Sequence, residues 1–342
     1  MSDSDAKTRK PAQLKRLVLV LAVVAVLWGA ATLARMLLPP APLILARESL
    51  EVGQFDLAIE HYRRHLAKYP DDWGVHSELG LVLSEVDRPQ ALAEFRKVPS
   101  DSEAYLDARR QIVGICLATE RFDAAERTLL ELTELAPNDW WPQLTLAELH
   151  FRQRRPGAAL PYAKRSSELN PEHVAAHYLN AEILDDLQRP AEMIAPLLKV
   201  LDLELDNYAA HLNLSYAYSE AGQGERCQEE AEWCLARNPN DIHAYRFLAL
   251  SLRDQGNREE AMETIQQALT LAPYDLECRL VEGELLLFDR RDEEALKNLE
   301  PLYEHYQNDR RLAALLARAA ASAGRTEKAE RYREQVQKLS GR

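Results

Sequence analysis

Cysteine and glycine are scarce in this chain, and their placement closes off most catalytic readings. The four cysteines, Cys116, Cys227, Cys234 and Cys278, form no Cys-x-x-Cys pair. That excludes a zinc knuckle, a thioredoxin-type redox pair and covalent haem attachment through Cys-x-x-Cys-His. Cys227 and Cys234 are seven residues apart. On one helix their Cα atoms lie ~10 Å apart, too far for a disulfide. Both read instead as small buried apolar residues. The sequence also lacks a Walker phosphate loop, a Gly-x-Ser-x-Gly elbow and a His-Glu-x-x-His pair. Gly222 and Gly224 begin a phosphate-loop pattern, but a third glycine does not follow, and a turn between helices explains them.

Excess positive charge is missing too. The formal net charge is −13, and residues 1–16 carry +3, so residues 17–342 carry −16. A domain this acidic repels phosphate backbones, which argues against a nucleic-acid partner and against lying flat on anionic lipid.

What the chain does have is a period. Pro137, Pro171, Pro239 and Pro273 are spaced by 34, 68 and 34 residues. A period in this range marks stacked helix pairs. With the proline at position 32 of a 34-residue unit, position 8 holds Ala46, Gly80, Val113, Ala147, Ala181, Ser215, Ala249, Gly283 and Ala317. Position 20 holds Ala58, Ala91, Ala125, Ala159, Met193, Cys227, Ala261, Ala295 and Ala329. Small side chains at both positions let two helices approach closely where they cross. Gly53, Gly222, Gly256 and Gly324 fall at position 15, the turn between the helices, where positive φ ends the first helix.

On these residues the chain resembles the tetratricopeptide repeat family. The copy at Tyr245, Leu248, Ala249, Leu252, Gly256, Ala261, Ile265, Ala268 and Pro273 is the clearest, with Tyr at position 4 where the family has Trp. The resemblance implies an all-α, right-handed superhelical solenoid of about nine units. They run at about 39–72, 73–105, 106–139, 140–173, 174–207, 208–241, 242–275, 276–309 and 310–342. The second unit is one residue short near 87–90, and the fifth has Leu205 where the proline belongs. Arg333 at position 24 of the last unit gives it a polar face, so residues 327–338 read as a cap.

Before the repeats, residues 17–34 carry no charge, and the apolar run extends to residue 38 past Arg35. Twenty-two helical residues span ~33 Å, enough for a ~30 Å hydrocarbon core. The basic residues ahead of the run place the N-terminus in the cytoplasm and the repeats outside it, in a bacterial cell the periplasm. The expectation is a single transmembrane helix over 17–38 acting as an uncleaved signal anchor. A cleaved secretory signal is the alternative.

The resemblance also implies a site. In such arrays the first helix of each unit lines a concave groove through positions 2, 5, 9, 12 and 13. Here these give Trp141, Glu148, Phe151 and Arg152 in unit four, and Tyr178, Glu182, Asp185 and Asp186 in unit five. Units six and seven give Tyr216, Ser219 and Glu220, then His243, Arg246, Arg253 and Asp254. The groove candidates are Trp141, Phe151, Arg152, Tyr178, Tyr216, His243, Arg246 and Arg253, since aromatic and arginine side chains are the usual anchors. For Trp141 and Phe151 packing between units is the competing role.

His61 with His65, and His173 with His177, are i,i+4 pairs that can meet a metal from one helix face. No third ligand is placed beside either pair, and position 4, which holds His177 and His211, is expected to be an aromatic packing site. The sequence therefore points to a non-catalytic, membrane-anchored scaffold with a protein or peptide partner, no cofactor and no metal. A homo-oligomer is compatible with it, because array ends can pair. A metal- or haem-handling module and an enzyme without a recognisable motif are the alternatives from other classes.

Overall fold

The computed structural model describes residues 41–341, so the basic segment 1–16 and the apolar run 17–38 lie outside the described residues. Within the described residues every element is an α-helix, and no helix is long and apolar enough to cross a membrane. The described residues divide into two compact units, one ending at Thr128 and the other beginning at Leu129.

In the first unit α1 (Pro42–Glu51) packs on α2 (Phe55–Leu66), and α3 (Trp73–Val86) on α4 (Arg88–Lys97). There follow α5 (Tyr105–Ala118) and α6 (Phe122–Leu135). The second unit continues with α7 (Trp140–Arg152), α8 (Pro156–Leu169), α9 (Val174–Asp186), α10 (Pro190–Leu203), α11 (Tyr208–Glu220) and α12 (Gly224–Arg237). It ends with α13 (Ile242–Asp254), α14 (Arg258–Leu271), α15 (Leu276–Phe288), α16 (Asp292–Tyr303), α17 (Arg310–Ser322) and α18 (Thr326–Ser340).

Two local devices set the helix ends. The residue ahead of many first helices is an Asp or Asn whose side chain accepts backbone N–H groups of the first turn: Asp72, Asp139, Asn207, Asp241, Asp275 and Asp309. Such caps satisfy donors that a helix leaves unpaired. At the other end the first helix closes in a Schellman turn. Gly256 N–H donates to the Arg253 carbonyl (3.0 Å) and Asn257 N–H to the Leu252 carbonyl (2.9 Å). Gly53, Gly222, Gly256 and Gly324 all have positive φ, as expected from position 15. So do Glu120, Arg154, Gln188 and Arg290, which occupy the same position in their units. The exception is the short unit, where Asp87 ends α3 and caps α4 with φ −150°. The missing residue is the one that would have made the turn.

The core lies where paired helices cross. The alanines at positions 8 and 20 are almost entirely buried, as Ala147, Ala159, Ala249 and Ala261 illustrate at 0 % exposure. In the second unit Leu197, Val200 and Leu214 sit in one apolar cluster and Ile265, Leu285 and Leu299 in the next. The face of α18 is largely polar, with Ala329 and Tyr332 its buried residues, and Arg333 is exposed.

Candidate functional site

The first helices α11, α13, α15 and α17 lie side by side in the second unit and enclose a cleft of about 660 Å³. From α11 come Tyr216 and Glu220, and from α13 Arg246, Phe247, Leu250 and Arg253. From α15 come Glu277, Leu280, Val281 and Glu284, and from α17 Arg311, Ala314, Leu315 and Arg318. Gln188 reaches it from the turn after α9.

The cleft has an apolar floor and charged walls. Phe247, Leu280, Val281 and Leu315 are buried, and the Tyr216 ring lies 6.0 Å from that of Phe247. Arg246 stands over Phe247 with its guanidinium carbon 4.7 Å from the ring centroid. It also reaches Glu277 (3.3 Å) on the next helix. Arg311 on α17 grips both oxygens of Glu277 and also meets Asp309 at 3.2 Å. A ladder Arg246–Glu277–Arg311 therefore crosses three helices. A second rung joins Arg253 to Glu284, with Asp254 at 2.8 Å on the other side. These carboxylates hold Arg311 more firmly protonated than a free arginine. Burial pushes the Tyr216 hydroxyl pKa up, and the nearby Asp185 and Glu220 carboxylates add to it.

The family model for the tetratricopeptide repeat matches residues 144–210 and 212–275. Those residues are tetratricopeptide repeats. The chain is 22% identical over 262 residues to the TPR repeat-containing protein YpiA of Bacillus subtilis (strain 168), a match covering 75% of this chain and 61% of that one. It is 22% identical over 246 residues to the human protein O-mannosyl-transferase TMTC3, covering 70% of this chain and 25% of the relative. The chain thus spans less than two thirds of either curated relative. Among solved structures it is similar to Pseudomonas aeruginosa pilF, at 17% identity and TM-score 0.47, over 58% of this chain and 91% of that one.

Of the groove candidates, Tyr216, Arg246 and Arg253 line the cleft together. His243 is exposed on α13 and is not among the lining residues. Trp141, Phe151 and Arg152 on α7 and Tyr178 on α9 lie outside this cleft. Phe151 and Tyr178 pack, half buried, on the apolar cluster that includes Leu144 and Leu214. The Tyr178 hydroxyl also accepts a hydrogen bond from Asn213 Nδ2 (2.9 Å), tying α9 to α11. Trp141 is half buried at the start of α7, its N–H held by the Asp139 cap at 3.0 Å, and Arg152 is exposed.

The repeat frame, carried two units further, contains six of the lining residues that the candidate set omits. Positions 2, 5 and 9 are Glu277, Leu280 and Glu284 in unit eight, and Arg311, Ala314 and Arg318 in unit nine. All six line the cleft.

Position 4 combines the expected ring packing, as in His76 beside Trp73 and Tyr245 on the apolar cluster, with a polar anchor. His76, His177 and His211 each donate Nε2–H to the carbonyl at position 32 of the preceding unit: Pro70 (3.0 Å), Pro171 (2.9 Å) and Leu205 (3.0 Å). Arg279 does the same to Pro273 with Nε (2.8 Å). That carbonyl lies past the end of a helix and has no backbone partner there, so a side-chain donor six residues on satisfies it. Nδ1 of His211 faces Glu230, and its ring stacks on Trp233 at 3.5 Å. His173 caps α9, accepting the Ala176 N–H at 3.2 Å. Each of these imidazoles is engaged locally, and the described residues hold no group of three or more His, Cys, Asp or Glu side chains arranged to bind a metal ion. The four cysteines are free thiols and buried. Burial pushes Cys227, Cys234 and Cys278 up to about 12, far from the thiolate a nucleophile needs.

Proposed function

We propose that this tetratricopeptide repeat protein is a non-catalytic interaction scaffold that takes up a segment of a partner protein in the cleft of α11, α13, α15 and α17. One observation carries the reading. Four successive first helices combine an apolar floor at Phe247, Leu280 and Leu315 with walls of paired charges. That is the layout of a peptide groove, in which apolar anchors supply affinity and a polar rim supplies register. The pairing of Arg246, Arg253 and Arg311 with Glu277 and Glu284 supports a binding role for these charges. The human relative is a mannosyl-transferase by name, but the match covers a quarter of its length.

The second part of the proposal concerns place. Residues 17–38 anchor the chain in a membrane, and the repeats work on the extracytoplasmic face in the assembly of an envelope complex. The apolar run and the basic residues before it support this. Anchoring raises the effective concentration of a membrane-bound partner.

The test is a photo-crosslinking residue at Tyr216 in cells, with a control at Glu229, which is exposed on the second helix α12. A discrete adduct from Tyr216 alone is expected. Equal labelling at both positions, or none at Tyr216, would overturn the cleft assignment. Alkaline extraction of the full chain, with and without residues 17–38, tests the anchor.

A further inference from the structure

Charge is distributed unevenly along this cleft, in a way that specifies the occupant. Residues 17–342 carry −16 overall, yet the cleft is lined by four arginines and three glutamates. Arg246, Arg253 and Arg311 are engaged with Glu277 and Glu284. Arg318 is different. It is exposed on α17, lines both this cleft and the adjoining hollow against α18, and has no ion-pair partner among the described residues. Arg246 also keeps an unused donor, since its Nε is buried without a hydrogen-bond partner. The α11 side has the opposite sign. Glu220 lines the cleft there, and Asp185 faces Tyr216.

Resting on the cleft reading above, we propose that the bound segment is an acidic–apolar peptide held in one direction. An apolar side chain sits on the floor at Phe247, Leu280 and Leu315, and an Asp or Glu a few residues away meets Arg318 on α17. A guanidinium with free donors is matched to a carboxylate. The three glutamates in the same walls repel a phosphate dianion more strongly than a single carboxylate. The acidic α11 side turns away any carboxylate placed there, so the peptide cannot reverse at equal affinity.

The experiment pans a displayed library of random twelve-residue peptides on the full chain purified in detergent. Wild type, Arg318→Glu and Ala314→Trp are compared. Ala314 and Arg318 are both exposed, so these variants are expected to fold, and circular dichroism verifies it. Peptides from wild type should combine a large apolar residue with a nearby Asp or Glu. Arg318→Glu should weaken them roughly tenfold and should select Lys or Arg at the acidic position instead. Ala314→Trp should remove binding by filling the cleft. Peptides that are blocked by Ala314→Trp but show no acidic preference and ignore Arg318→Glu would overturn the charge inference while the cleft reading stands. Recovery of no peptide sensitive to Ala314→Trp would overturn both.

Discussion

Gly80 on α3 lies against the ring of Phe95 on α4, so closely that a methyl group on its Cα would come within 2.7 Å of the ring. Phe95 is completely buried, and neither helix can yield without opening the core. Gly80→Ala gains about 1 kcal/mol of helix propensity but should still destabilise by a net ~1–3 kcal/mol through overpacking. A lower urea midpoint for the variant, with partial recovery in Gly80→Ala/Phe95→Leu, is the expected result. An unchanged midpoint would show that the two helices separate at little cost.

The turn residues give a second prediction with two signs. Gln188 and Gly256 hold φ of 57° and 88° at the same repeat position. A side chain costs ~1–2 kcal/mol in that region, which glycine avoids. Gln188→Gly should therefore be neutral or stabilising. Gly256→Ala should lose about 1 kcal/mol from backbone strain, since no atom lies within 4 Å of the added Cβ. Paired thermal melts of the two variants test both signs.

Glu94 should carry acid sensitivity. Burial alone would raise its pKa, but hydrogen bonds from Lys97 and His76 outweigh that and hold it below the ordinary carboxylate range. The unfolded chain binds this proton more readily than the folded one. The stabilisation is thus complete above the unfolded pKa of about 4.3 and is lost as pH falls through the folded value. Glu94→Gln should be less stable than wild type at neutral pH, with the gap narrowing in acid. A gap that stays constant from pH 7 to pH 3 would contradict this.

Glu182 should behave in the opposite sense. Partial desolvation of this exposed side chain, followed by the neighbouring Asp186, raises its pKa, so its ionised form disfavours folding. Glu182→Gln should raise the melting temperature at neutral pH, and the advantage should fade as the wild-type carboxyl becomes protonated in acid. Melts across the same pH series decide it.

His211 offers a test of the position 4 anchor. His211→Phe keeps a ring beside Trp233 but leaves the Leu205 carbonyl without its donor and removes the contact to Glu230. Leaving such groups unsatisfied costs ~1–3 kcal/mol. Hydrogen exchange should show faster opening at the junction of α10 and α11. If protection there is unchanged, the contact is packing alone.

The repeat period, the small residues at the helix crossings and the four turn glycines are all legible in the amino-acid sequence. Each obeys a rule that acts within one helix pair: close approach needs a small side chain, and a left-handed turn favours glycine. The same locality left Glu120, Arg154, Gln188 and Arg290 unrecognised as turn residues. Their own preferences oppose positive φ, and the helix pair around them imposes it. The cleft lining was legible only in part. Tyr216, Arg246 and Arg253 sit at positions that the family resemblance implies, as do Glu277, Glu284, Arg311 and Arg318 in the next two units. Which charges neutralise one another was decided by tertiary structure. Arg246 meets Glu277 and Arg311 meets the same carboxylate because stacking aligns side chains some thirty residues apart, and the Arg318 guanidinium is left over from that pairing.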